Sequence, residues 1–149
     1  MLRLVLDANV FVSAVLKPRS DLARIFDLVK AGKVKLIISS DILSEIRGVL
    51  LYPKLRKRHR RTPKKIDDFL KKAIRVAIVT PGKMKVEEIK DDPEDNKYLA
   101  AAAEGKADFI ITGDHHLKDL GMFQGIRILS PSMFLKLIEK HPGKQNSRF

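Results

Sequence analysis

The chain has 149 residues, no cysteine, and 30 Lys and Arg against 18 Asp and Glu, for a formal charge of +12 at pH 7. That length fits one domain with a sizeable core, and an apolar content of 44% excludes wholesale disorder. The missing cysteine excludes a disulfide framework or a cysteine-based zinc site, and no apolar run approaches the roughly 20 residues of a membrane span.

The N-terminus shows no secretory pattern, so a protein of the reducing cytoplasm is expected. The positive charge speaks about partners, and polyanions are the natural counterpart through phosphate contacts and counterion release. An acidic protein or an anionic membrane surface would satisfy the same charge.

In chain order, Leu4, Val5 and Leu6 read as a short strand buried on both faces, followed at once by Asp7. Val10 to Leu16 reads as a short helix, broken at Lys17-Pro18. Ser20 can cap a second helix carrying Leu22, Ile25, Phe26 and Val29 at helical spacing, stopped by Gly32. Val34 to Ile38 is a second strand, and Ser39-Ser40-Asp41 caps an amphipathic helix ended by Tyr52-Pro53.

The run KLRKRHRR follows at 54–61 and reads either as a solvated charged segment or as an RNA-backbone contact through Lys54, Arg56, Lys57, Arg58, Arg60 and Arg61. It holds no aromatic residue for base stacking. Thr62-Pro63 starts the next helix, and Val76 to Val79 is a third strand. A polar connector leads to Asp92-Pro93, expected to open a helix running to Glu104 with Asp92 as its cap.

Asp108 to Thr112 and Ile126 to Leu129 are the remaining strands, with a short helix at His115 to Leu120 between them. Ser130-Pro131 caps a final helix. A globular domain over 1–140 and a frayed tail over 141–149 are expected. Strands alternating with helices predict a parallel sheet covered on both faces.

Parallel strands end at one edge, and that edge collects carboxylates. Asp7, Ser39 and Thr112 with Asp114 follow three of the strands. Glu45 flanks the buried stripe of its helix, and Asp95 shares the inward face of its own with Leu99, Ala102 and Ala103. Each acid also has a purely structural reading, as cap, turn residue or ion-pair partner. Asp92 and Asp95 in particular fit a helix cap and its first turn.

Acids gathered at one rim repel and raise each other's pKa unless a cation compensates. Oxygen ligands without cysteine or a histidine cluster point to Mg²⁺ or Mn²⁺. A basic protein with such a site suits metal-assisted phosphodiester hydrolysis, which needs no side-chain nucleophile. A non-catalytic nucleic-acid-binding module, or a phosphoryl-transfer protein using Asp7 as covalent nucleophile, are the competing readings. His115 and His116 read as surface residues.

Four ordered pieces resemble the PIN-domain family, in its VapC-type toxin-like branch. They are LVLDANVFVSAVL at 4–16, SSDILSEIRGVL at 39–50, DPEDNKYLAAAAEGKADFIITGD at 92–114 and ILSPSMFL at 128–135. The resemblance implies a three-layer α/β/α sandwich on a parallel sheet of four or five strands. It implies a Mg²⁺- or Mn²⁺-dependent ribonuclease with Asp7, Glu45, Asp95 and Asp114 as metal-binding acids. Asn9, Ser39 and Thr112 would orient those acids, and Asp92, close to the third acid, would contribute beside them. It also implies a homodimer and a small antitoxin partner, or else an RNA-processing nuclease outside any toxin-antitoxin system.

Overall fold

The computed structural model describes residues 1–140; the stretch 141–149, expected to be a frayed tail, lies outside the described residues. β1 (Leu2–Leu6) is the central strand. Leu2, Leu4, Val5 and Leu6 are all buried, because strands pair on both sides of β1 and helices cover both faces. α1 (Ala8–Leu16) and α2 (Asp21–Lys30) lead to β2 (Val34–Ser39). α3 (Ser40–Leu51), α4 (Pro53–His59) and α5 (Pro63–Val76) lead to β3 (Ile78–Thr80). A 3-10 turn (Pro93–Asp95) then runs into α6 (Asn96–Glu104) and β4 (Phe109–Ile111). α7 (His115–Leu120), β5 (Met122–Phe123), β6 (Ile126–Leu129) and α8 (Pro131–Lys140) complete the fold.

The strand order is β3-β2-β1-β4-β6-β5. β1 pairs in parallel with β2 through Leu4↔Leu36 and with β4 through Leu4↔Phe109. The first half of the chain builds outward from β1 on one side, and the second half builds on the other. This reversal between β1 and β4 is the topological switch point where open α/β sheets form a crevice at their carboxyl edge. A right-handed return from β3 to β4 passes over the opposite face from the earlier crossovers, so α6 lies there against β1, β2 and β4.

That packing is close: a Cβ added at Gly105, the residue ending α6, would lie 2.8 Å from Cγ2 of Ile37 on β2. On the other face, Phe11, Phe26 and Phe69 tie α1, α2 and α5 together. The Phe11 ring is 4.8 Å from Phe26 and 5.9 Å from Phe69, edge-on to both.

Several boundaries differ from expectation. The first helix starts at Ala8 rather than Val10, because Asp7 leaves the strand directly as the helix cap. KLRKRHRR is mostly helical: Pro53 ends α3 but also serves as the first residue of α4, which has no buried residue. Asp92 makes no side-chain cap bond, and the turn it precedes is a 3-10 turn before α6 begins. The third strand falls at Ile78–Thr80 since α5 continues through Val76. The sheet has a sixth strand, the two-residue β5, antiparallel to β6. Met122 on it is exposed, so the strand carries no buried run to announce it.

Candidate functional site

Asp7 extends the β1–β4 pairing by donating its N–H to Ile111 O at 3.2 Å. The chain then turns directly into α1. Asp7 Oδ1 accepts the Val10 N–H at 2.7 Å as helix cap, and Oδ2 accepts a hydrogen bond from Thr112 Oγ1. Thr112 is fully buried just beyond β4, and its hydroxyl also accepts the Asp114 N–H at 2.9 Å. Asp114 caps α7 by accepting the His116 N–H at 2.7 Å. The crevice at the switch point thus carries Asp7 and Asp114, joined through Thr112, and a cleft of ≈ 320 Å³ opens there with Asn9 on its wall.

Asp95 closes the 3-10 turn and is buried. One carboxylate oxygen each from Asp92, Asp95 and Asp114 lies within 4.8 Å of the others. Asp95 is pushed up to about 7, first by burial and then by the charges of Asp114 and Asp92, with His116 acting in the opposite sense. Its Oδ2 is buried and has no hydrogen-bond partner. The Asp7 pKa is raised by burial; the hydrogen bonds from Thr112 and Val10 oppose the rise, and the charges of Asp114 and Glu45 add to it.

Glu45 reaches the rim from the second turn of α3. The Tyr98 hydroxyl donates a hydrogen bond to its Oε1, and Lys97 Nζ sits 3.1 Å from the same oxygen. Tyr98 in turn accepts the Ala8 N–H at 3.0 Å. Burial, and the Glu45 carboxylate that the hydroxyl serves, raise the Tyr98 pKa.

Of the four acids singled out in the sequence, Asp95 and Asp114 fall in the close carboxylate group with Asp92, whereas Asp7 and Glu45 lie outside it and are tied to the same edge through the Thr112 and Tyr98 hydrogen bonds and through charge. Asp92 stands closer to Asp95 and Asp114 than its secondary status suggested. Ser39 is buried at the same edge, where its hydroxyl caps α3 by accepting the Ile42 N–H at 3.3 Å. It lines a wider groove of ≈ 770 Å³ that also reaches Glu45 and Lys97.

The basic run is elsewhere. α3 starts at the carboxyl edge and its 12 residues carry the chain about 18 Å away before α4 begins. Lys54, Arg56, Lys57, Arg58 and Arg60 are exposed there. Arg61 is half-buried instead, with its guanidinium 5.6 Å from the Phe69 ring centre. His115 is exposed, whereas His116 is half-buried and close enough to act on Asp95.

Tyr98 and Lys97 are the residues that sequence reasoning missed. A phenol on a buried, alanine-rich helix face needs a polar partner, and a lysine in a helix's first turn opposes the helix dipole. Both are signals in the sequence, but neither says which acid is the partner.

A mostly parallel sheet with acids at its switch point defines a class of α/β/α proteins, and the comparisons narrow it. A PIN domain model matches residues 3–116, and the chain belongs to the PIN-domain family, whose members are generally nucleases. The uncharacterized protein MJ1680 of Methanocaldococcus jannaschii is 34% identical over 119 residues, covering 80% of this chain and 75% of that protein. The crystal structure of VapBC2 from Rickettsia felis, bound to a DNA fragment from their promoter, is similar in fold. It superposes with a TM-score of 0.54 at 16% identity, covering 85% of this chain and 97% of that one. Among the described residues no helix is long and apolar enough to cross a membrane.

Proposed function

We propose that this chain is a divalent-metal-dependent ribonuclease of the cytoplasm, in the VapC-type branch of its family. It acts as the toxin of a toxin-antitoxin pair and works as a homodimer. The observation that carries the nuclease reading is the set of Asp92, Asp95 and Asp114 oxygens within 4.8 Å, beside Asp7 and Glu45. The likeness in fold to one chain of a VapBC pair is what suggests an antitoxin partner.

The residues fit a hard divalent cation. All the donors are carboxylate oxygens, one buried oxygen of Asp95 has no partner, and Asp95 is raised to about 7 by the burial and crowding that a cation relieves. Asp7, Glu45, Asp95 and Asp114 would hold the ion, with Asp92 beside them. Mg²⁺ or Mn²⁺ bound there supplies charge neutralisation and an acidified water for attack on phosphorus.

The chain's own groups do the positioning. Thr112 holds Asp7 and the start of α7 in register, and Tyr98 holds Glu45 against the start of α1. The N-termini of α1 and α6 also present their positive ends at this edge, which favours a phosphate. The exposed cations of α4 supply a separate backbone contact for longer RNA.

Asp7 suits a ligand better than a covalent nucleophile. It is 4% exposed, and each of its oxygens already accepts a hydrogen bond. The test is cleavage of total RNA with Mn²⁺ by the wild-type chain, Asp7→Asn and Asp95→Asn. Loss of turnover by about 100-fold or more in both variants is expected, since the acids act as one unit. Full activity in both would sink the site.

A further inference from the structure

The nuclease reading leaves one problem at the rim. Asp7, Glu45, Asp92, Asp95 and Asp114 make an edge that repels a phosphodiester, and the exposed lysines and arginines of α4 begin about 18 Å away along α3. Among the described residues, Lys97 is the lysine or arginine that ion-pairs with one of these acids.

We infer that Lys97 is a phosphate-contacting residue of the cleavage site, its ammonium resting on Glu45 when no RNA is bound. The inference takes its ligand class from the nuclease reading and adds the group that receives the backbone.

Three observations carry it. Lys97 is placed against its local preference, in the first turn of α6, where the helix dipole disfavours a cation. Its side chain is only 13% exposed, although one of its two acidic neighbours is far out in solvent. Glu94 lies 3.5 Å away with its own side chain 85% exposed, a contact of little energetic weight. What confines the ammonium is Glu45 at 3.1 Å and the Tyr98 ring, 5.6 Å from Nζ to the ring centre.

Third, Lys97 and Lys85 are the two cations lining a ≈ 770 Å³ groove whose other charged walls are acidic (Asp41, Glu45, Glu87, Glu94 and Glu104), so a backbone entering it has these two ammonium groups to meet. Glu45 Oε1 already receives the Tyr98 hydroxyl, so it keeps a donor when the ammonium leaves. A lysine head on a four-carbon stem has room in such a groove to turn from a carboxylate to a phosphate oxygen beside it.

The test is RNA binding without divalent ions, so it stands whether or not the chain hydrolyses RNA. A fluorescent 12-nucleotide oligouridylate is titrated by anisotropy over a series of KCl concentrations in EDTA, with wild type, Lys97→Met and Lys97→Arg. A direct phosphate contact predicts that Lys97→Met binds about tenfold more weakly and loses about 0.7 from the slope of log K against log salt. Lys97→Arg should keep that slope.

An unchanged slope in Lys97→Met makes Lys97 a counter-ion of Glu45 only and overturns the inference. Lys97→Gln carries the same test should the methionine variant fail to fold. Mn²⁺-dependent cleavage is measured alongside with Asp95→Asn. Absent cleavage by wild type rejects the nuclease reading and leaves the slope to decide on Lys97.

Discussion

Tyr98 fastens Glu45 to the first strand's exit: one hydroxyl donates to Glu45 Oε1 and accepts the Ala8 N–H, so α6, α3 and α1 meet at a single oxygen. Tyr98→Phe keeps the ring and removes that junction. The Ala8 N–H then has no acceptor in a buried place, which costs about 1–2 kcal/mol. We expect a Tm lower by roughly 3–8 °C and a fall in kcat larger than any rise in KM, because Glu45 loses its orientation. Thermal melts and steady-state cleavage check both.

Thr112 does the corresponding work for Asp7. Thr112→Val fills the same space without the hydroxyl. The Asp7 carboxyl then loses a hydrogen bond that holds its pKa down, while the burial that raises it stays. The acid limb of the pH–rate profile should move to higher pH, and activity should fall by about 10–100-fold. Thr112→Ser, which restores the hydroxyl, should recover most of both. A valine variant with the wild-type profile would show that this bond does not matter to the reaction.

Asp95 makes the cation-free protein sensitive to pH in a calculable direction. Its carboxyl goes from 3.8 in the unfolded chain to about 7 in the fold. Between those values the unfolded chain binds fewer protons than the native one, so stability falls as pH rises from about 4 to 7 and levels off above. Asp95→Asn should therefore raise the Tm at pH 8, and that gain should vanish near pH 4. In the wild-type chain Mn²⁺ must displace this proton, so its apparent affinity should drop about tenfold between pH 8 and pH 6. Calorimetry at the two pH values measures it.

The basic helix should behave as an exosite. Replacing Arg56, Lys57 and Arg58 together by Gln should weaken binding of long RNA and reduce the salt slope by about 0.7 for each phosphate that α4 no longer neutralises. The kcat on saturating short substrate should stay within about twofold, since these side chains stand away from the rim. A collapsed kcat with intact affinity would place the run in the reaction itself.

Much of this architecture is legible in the sequence because the parallel strands are short, apolar and directly followed by polar residues. Leu4 to Leu6 with Asp7, and Phe109 to Ile111 with Thr112 and Asp114, mark both the sheet and the edge that carries the acids. Topology then brings together acids that are more than a hundred residues apart. The misses have physical causes. α4 has no buried face, so no periodicity revealed it. β5 is two residues long and is held by its pairing with β6.

The roles of Tyr98 and Lys97 depend on a contact between α3 and α6 across 53 residues for Tyr98 and Glu45. Periodicity describes one helix at a time. It put Leu99 and Ala102 in the core but could not say which acid met the phenol beside them.

The central place of β1 also sets an order of events while the chain is being made. β1 can pair with β2 once residue 37 has emerged, through Val5↔Ile37, but its other edge waits for Ile110 and Ile111 on β4. Until then Asp7 has neither the Ile111 carbonyl for its N–H nor Thr112 for its carboxylate. Asp92 and Asp95 likewise wait for Asp114 before the three carboxylates can come together. The candidate site therefore stays unassembled on the ribosome until nearly the whole fold has emerged.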